Sequence, residues 1–231
     1  MDETFFYLTF LFVLGSGFGW VLELFFRKIV HKRWINPGFL SGPYLPIYGL
    51  GLVMLYLVTI IDFNMNLVFL EILLKILLIG ILMTLIEYLA GIIFIKFMGI
   101  KLWDYSKNIG NIKGIICPLF SFIWTVVGTF YLLFLHQFIV EVMNLVSTNI
   151  YYPFTIGIFF GIFLWDLFST LEIVSKIKEL ASTSKLIIKY EEFKFKEKKY
   201  YNENKIKYNF MKPLRMNNDV MKDVFNKYND D

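Results

Sequence analysis

Five runs of residues, at roughly 4–25, 44–61, 70–95, 114–135 and 153–174, are apolar over nearly their whole length. A bilayer crossing needs about 20 mostly apolar residues. A chain holding that many such runs has no soluble way to cover them, so the expected fold is an all-α integral membrane protein with five transmembrane helices. The overall balance agrees, with 57% hydrophobic residues, mean hydropathy +0.60 and 26 Phe in 231 residues, far above soluble domains. The abundance of Phe, Ile, Lys, Asn and Tyr is also what an AT-rich coding sequence imposes, so aromatic content by itself is not read as a binding signature. The single cysteine, Cys117, forms no internal disulfide and supplies no metal-ligand spacing.

Basic residues in short loops stay on the cytoplasmic side. The first connection holds Arg27, Lys28, Lys32 and Arg33, and the third holds Lys96, Lys101, Lys107 and Lys113, whereas Met1–Glu3 and the stretches 62–69 and 136–150 carry neither Lys nor Arg. This distribution predicts an N-out, C-in, multi-pass protein of a bacterial cytoplasmic membrane. The first run has no basic leader and no small-residue cleavage site, so it is expected to remain as a helix. Two parts are expected: a transmembrane domain over 1–175 and a basic cytoplasmic tail over 176–231. The tail holds fourteen Lys and Arg against nine Asp and Glu, and residues 1–175 hold nine against ten, so the whole positive excess sits at the C-terminal end. Such a tail is expected to be solvated, or to lie on an anionic leaflet.

Ionisable residues inside apolar runs mark candidate sites, because each costs about 2.5–3.5 kcal/mol at a helix centre unless it finds a partner or water. Gly15, Gly19, Glu23 and Arg27 recur at spacing four and share one stripe. Gly80, Thr84, Glu87 and Gly91 do nearly the same in the third run, with Glu87 about 12 Å from its cytoplasmic end. Glu87 is the strongest candidate, and Glu23 with Arg27 reads equally well as an interfacial ion pair. Cys117, Ser121, Thr125 and Gly128 form a small, weakly polar face, and Gly157-x-x-x-Gly161 permits close helix contact. Asp166 and Glu172 read either as part of an acidic cluster or as interfacial residues neutralised by Lys176 and Lys178.

An ordered series recurs. An acid (Glu23; Glu87) is followed by a basic loop with Trp and Asn (Trp34, Asn36; Trp103, Asn111), then Gly and two apolar residues (Gly38; Gly114), then Pro (Pro43; Pro118). A parallel repeat of helices one–two and three–four is expected from it. The stretch "NPGFLSGPYLPIYGLG" at 36–51 crowds three prolines and four glycines at the start of the second apolar run. Irregular backbone at membrane depth is tolerated only when buried in protein or lining a wet cavity. Gly42, Pro43, Pro46 and Gly49 are therefore expected to shape an irregular entry beside a polar site of Glu23, Arg27, Asn36, Tyr44, Tyr48 and Glu87. A plain turn with Pro opening a helix is the alternative.

At these residues the chain resembles the ABC-transporter permease proteins described as "type IV". The resemblance is carried by "GWVLELFFRK" (19–28), "NPGFLSGPYLPIYGLG" (36–51), "LIEYLAG" (85–91), "KLWDYS" (101–106) and "NIKGIICPLFSFIWTVVG" (111–128). It implies a membrane subunit working with a separate ATPase. It highlights Glu23, Gly42, Pro43, Pro46, Tyr48, Gly49, Glu87, Trp103, Asp104, Tyr105, Ser106, Asn111 and Gly114. No Gly-Lys dipeptide occurs, so no phosphate-cradling G-x-x-x-x-G-K-[ST] loop is present. Any ATPase must be another chain, with Trp103, Asp104 and Tyr105 as candidate docking residues. Asp104 alternatively pairs with Lys101 or Lys107.

Two other classes stand beside a transporter subunit. Acids near one interface could serve an embedded enzyme acting on a lipid or lipid-linked substrate. However, His31 and His136 fall in expected loops on opposite sides, and neither a G-x-S-x-G elbow nor an H-E-x-x-H pair occurs. A structural or regulatory membrane protein needs only the small-residue faces and the tail. No catalytic residue, cofactor, metal or nucleic acid is assigned. Membrane lipid, an ATPase subunit and a second copy of the chain are the expected partners.

Overall fold

The computed structural model describes residues 3–229 apart from 31, 33, 150, 183–186, 215 and 217. Met1, Asp2 and Arg33, used above to orient the chain, and His31, expected in the first connection, lie outside the described residues. The helices are α1 (Glu3–Val30), α2 (Pro46–Ile60), α3 (Val68–Ile93), α4 (Pro118–Phe130), α5 (His136–Ser147), α6 (Tyr152–Ser182), α7 (Tyr190–Glu203) and α8 (Asn218–Asn229). Short π-helical turns continue α3 over Phe94–Met98 and join α4 to α5 over Tyr131–Leu135.

Among the described residues, four helical stretches are long and apolar enough to cross a membrane: Thr4–Val30, Val68–Met98, Pro118–Ser147 and Tyr152–Glu179. The second expected run, 44–61, forms a shorter helix of 15 residues, about 22 Å long at 1.5 Å per residue. Its start at Pro46 follows from proline's fixed φ and missing N–H, both harmless in a first helical turn. The stretch 136–150, expected as an outer connection, is instead mostly α5. No Gly or Pro interrupts the sequence between Gly128 and Pro153, so nothing stops the helix, and one wide turn at 131–135 absorbs an extra residue. His136 therefore sits on a helix, not in a loop.

The chain divides into two compact units, one of residues 1–16, 46–90 and 105–160, the other of 17–45, 91–104 and 161–231. In the first, Leu55, Val58, Ile79 and Tyr131 make a buried cluster against which Leu52, Leu82, Met83 and Ile139 pack. Glycines let helices touch there. A Cβ on Gly15 would stand 2.8 Å from Leu52 Cβ, and one on Gly49 would stand 2.6 Å from the Phe12 carbonyl, so α1 and α2 meet backbone to backbone. Gly157 and Gly161 differ, because nothing lies within 4 Å of a Cβ on either. The α3 side chains at spacing four, Leu73, Leu77, Ile81, Leu85 and Leu89, are all exposed, which is the lipid-facing stripe of an apolar helix.

In the second unit, Gly99 adopts φ 68° and closes the π turn. The chain then pairs Ile100 and Lys101 in parallel with Ile188 and Lys189. The basic stretch expected as a solvated tail builds α7 and α8 and buries Phe193, Lys194, Leu214 and Val224. The cause is local patterning: Met221, Val224 and Phe225 share one face of α8 at helical spacing.

The glycine contacts give a contrasting prediction. Gly49→Val should lower thermal stability in detergent by about 1–3 kcal/mol, the usual cost of overpacking. Gly157→Val, on an open face, should leave the melting midpoint near that of the parent in the same scan.

Candidate functional site

Glu87 is 5% exposed, and its partners come from the second half of the first unit. Glu87 Oε1 accepts from the Tyr105 hydroxyl at 2.9 Å and, at 3.4 Å, from Trp124 Nε1. Oε2 is buried without a partner among the described residues. The Tyr105 phenol is aimed by two contacts: its N–H donates to the Gly114 carbonyl at 2.9 Å, and its ring stacks on Phe120 at 4.2 Å with planes 9° apart. Asn111 organises the same loop. Its Oδ1 accepts from Gly114 N–H at 2.9 Å, and its amide donates to the Asn108 and Ser106 carbonyls. Tyr48 lies edge-to-face with Trp124, centroids 5.5 Å apart. Two neutral donors thus meet one carboxyl group on a mostly apolar helix. That arrangement suits holding a proton or reading a polar group, and it is short of a nucleophile. Ser121 lies on an open apolar groove of about 760 Å³ between α3 and α4, together with Gly80, Thr84 and Thr125. Its contribution is backbone geometry, with N–H to the Cys117 carbonyl and C=O to the Thr125 hydroxyl.

In the second unit the polar residues converge on the segment 34–45. Asn36 is fully buried. Its Oδ1 accepts from Gly38 N–H at 3.1 Å and Trp20 Nε1 at 2.9 Å, and its amide donates to the Ser41 carbonyl at 2.9 Å. Asp166, 6% exposed, accepts from Gly42 N–H and the Tyr44 hydroxyl, both at 2.8 Å on Oδ2. Pro43 separates those two donors and fixes the bend. On the far face of the segment, α7 donates to its carbonyls: Lys194 Nζ to Asn36 and Gly38, each at 2.7 Å, and the Tyr190 hydroxyl to Phe39 at 3.2 Å. Arg27 bonds Glu23 at 3.1 Å, the ion pair its spacing suggested, and also pairs with Glu191 of α7. Asp104 is paired with Lys101 at 2.8 Å and Lys189 at 3.1 Å.

The candidate residues therefore fall into two groups. Tyr48, Glu87, Tyr105, Asn111 and Ser121, with Pro46, Gly49, Gly114 and Pro118, belong to the first unit. Glu23, Arg27, Asn36, Tyr44, Trp103 and Asp104, with Gly42 and Pro43, belong to the second. Sequence reasoning missed Trp124, Tyr190 and Lys194. Trp124 carries a usable signal, since it follows Ser121 by one helical turn. For α7 the signal is the spacing of Tyr190, Lys194 and Lys198, which puts three donors on one face.

Burial, reinforced by the Arg27 charge, depresses the Lys194 ammonium to about 7 against the opposing pull of Glu191 and Glu197. Burial also raises Glu197 to about 7, opposed by the Leu214 N–H and by Lys194. The signs give a characteristic profile. A raised Glu favours the folded tail at low pH and loses that advantage as pH climbs from about 4.5 through 7. A depressed Lys favours it at high pH and loses that advantage as pH falls from about 10.5 through 7. Protection of α7 amides against hydrogen exchange, corrected for intrinsic rate, should therefore pass through a minimum near neutrality and rise on both sides. At the other cluster, Glu87→Leu should cost about 1–3 kcal/mol in thermal unfolding, because the Tyr105 hydroxyl and the Trp124 N–H each lose the carboxyl group as an acceptor. Glu87→Gln, which keeps an acceptor, should cost clearly less.

Among known proteins, a family model described as "Putative ABC-transporter type IV" matches residues 10–171. No curated protein and no solved structure gives a match.

Proposed function

Because the chain belongs to the ABC-transporter type IV family, we propose that it is the membrane-spanning subunit of a transporter energised by a separate ATPase subunit. Two features of the chain support this reading. Among its described residues four helices are long and apolar enough to cross a membrane, and its sequence has no phosphate-binding loop to hydrolyse a nucleotide itself. The observation that carries a transport role, beyond a structural one, is Glu87. A buried carboxyl group held by two neutral donors on an apolar span is costly to keep for packing alone.

In this reading α2 is a fifth, short membrane segment, the chain runs N-out and C-in, and helices one–two and three–four are a parallel repeat. The proposed polar site is built on Glu87, Tyr105, Tyr48 and Trp124. Asn111, Gly114 and Pro118 shape the loop that presents Tyr105. Glu23 and Arg27 are assigned to holding the tail. Trp103 and Asp104 lie on the connection 99–117, the proposed docking region for the ATPase. The location is a bacterial cytoplasmic membrane.

Gentle solubilisation of the tagged protein at native expression, followed by quantitative mass spectrometry, tests the partner. A stoichiometric ATPase subunit is expected. Its reproducible absence in a detergent that preserves comparable assemblies overturns the reading. In the same preparation Glu87→Gln should keep the ATPase at parent stoichiometry yet slow ATP turnover in reconstituted vesicles several-fold. Unchanged turnover would remove Glu87 from the transport path.

A further inference from the structure

The segment Trp34–Phe39 exposes a row of main-chain carbonyls that its own fold cannot satisfy, and α7 answers them in register. Lys198 Nζ donates to Trp34 O at 2.8 Å. Lys194 Nζ donates to Asn36 O and Gly38 O at 2.7 Å each, and Tyr190 Oη donates to Phe39 O at 3.2 Å. The three donors stand at spacing four on one face of α7, while their acceptors step along six residues of irregular chain. Lys194 is 1% exposed and its ammonium lies 4.8 Å from the centre of the Tyr190 ring. A buried ammonium is tolerated only where acceptors converge on it.

The convergence is built before α7 arrives. Asn36 closes the turn from inside the segment, taking the Gly38 N–H on Oδ1 and giving its amide to Ser41 O, and Pro37 fixes the backbone between the two carbonyls. These residues lie within the stretch that matches the family, whereas α7 lies beyond it. Receptor and occupant thus lie more than 150 positions apart in the chain, within one compact unit.

We propose that the Asn36 and Gly38 carbonyls form a binding site for a primary ammonium group, and that Lys194 is its resident, tethered ligand. Docking of α7 holds the 34–45 segment in the form seen here, and release of the Lys194 ammonium frees it. The chemistry selects the ligand class: two carbonyls 2.7 Å from one nitrogen require a group bearing at least two N–H bonds, and the positive charge of a primary ammonium strengthens both. A quaternary ammonium has none to offer. Four charged or titratable groups bear on the ammonium: Arg27 of α1, and Glu191, Glu197 and Tyr190 of α7. The Arg27–Glu191 pair is the second clasp of the same device. This assignment stands whether or not the protein transports anything.

The test uses the full-length protein in detergent or nanodiscs and reads hydrogen exchange in peptides covering 34–45 and, separately, α7 and α8. Lys194→Ala should speed exchange in 34–45 roughly tenfold or more, as expected on losing bonds from a charged donor, and millimolar propylammonium should restore protection. Tetramethylammonium and potassium should not. Lys194→Met, which keeps the volume and loses the donors, should loosen 34–45 equally while α7 and α8 keep their own protection. Lys199→Ala, on the exposed side of α7, should change nothing. Parent-like exchange of 34–45 in both Lys194 variants overturns the proposal. So does rescue by tetramethylammonium as effective as by propylammonium, or general loosening that no primary amine reverses.

Discussion

Every main-chain N–H and C=O withdrawn from water must find a partner, and in this protein that requirement falls hardest on 34–45, where proline and glycine leave no regular ladder to supply one. The partners are assembled from three sources. Asn36 works from within the segment, Asp166 takes the Gly42 N–H and the Tyr44 hydroxyl, and the α7 face meets the carbonyls. Each source carries a cost of its own. Asp166 and Lys194 are ionisable groups taken out of water, acceptable because each receives two strong hydrogen bonds in return. The irregular segment and the buried charges are therefore one solution, and neither makes sense without the other.

The first unit solves a related problem with different chemistry. Glu87 sits on a mostly apolar helix, and its donors are neutral: a phenol and an indole. Neutral donors stabilise a carboxyl group without cancelling its charge, so Glu87 keeps the capacity to exchange a proton or meet a polar group. A salt bridge such as Arg27–Glu23 has already spent that capacity. This difference in partner chemistry is the physical ground for assigning Glu87 to function and Glu23 to architecture. The positions of Tyr105 and Asn111 support it, since the loop between them is organised around delivering one hydroxyl.

How much of this was legible in the sequence depended on whether the signal was local. The membrane-crossing helices were, because an apolar run needs no knowledge of its surroundings, and so was the Glu23–Arg27 pair one turn apart. The second run was expected from residue 44 with an irregular entry, and its helix opens at Pro46, as the alternative reading of that stretch has it. The continuation of the fourth run through His136 was misread because a stretch without Lys or Arg was taken for an outer connection, when absence of Gly and Pro was the better guide. The tail was misread more deeply. Its high charge resembles that of a solvated segment, and Lys194 resembles any lysine until the carbonyls of Asn36 and Gly38, more than 150 positions earlier, are brought against it. Trp124 was missed for the same reason, since an indole in an apolar run looks like packing until its N–H finds a carboxylate.

Long-range pairing of this kind also shows what the tail contributes. A free helix of α7's composition, rich in Lys and Glu, gains little from burial, because most of its surface is polar. Its order comes from what it satisfies: four carbonyl bonds and an ion pair to Arg27, with Phe193 filling the space between. Conversely, without α7 the 34–39 carbonyls would turn to water or to another donor, and the segment would lose the constraint that fixes Gly38 and Phe39. Glu197 takes the Leu214 N–H on one oxygen, while the other is buried without a partner among the described residues, a cost the docked state carries. Burial pulls Lys194 down and Glu197 up toward neutrality, so the hold of α7 on the segment depends on pH as well as on geometry.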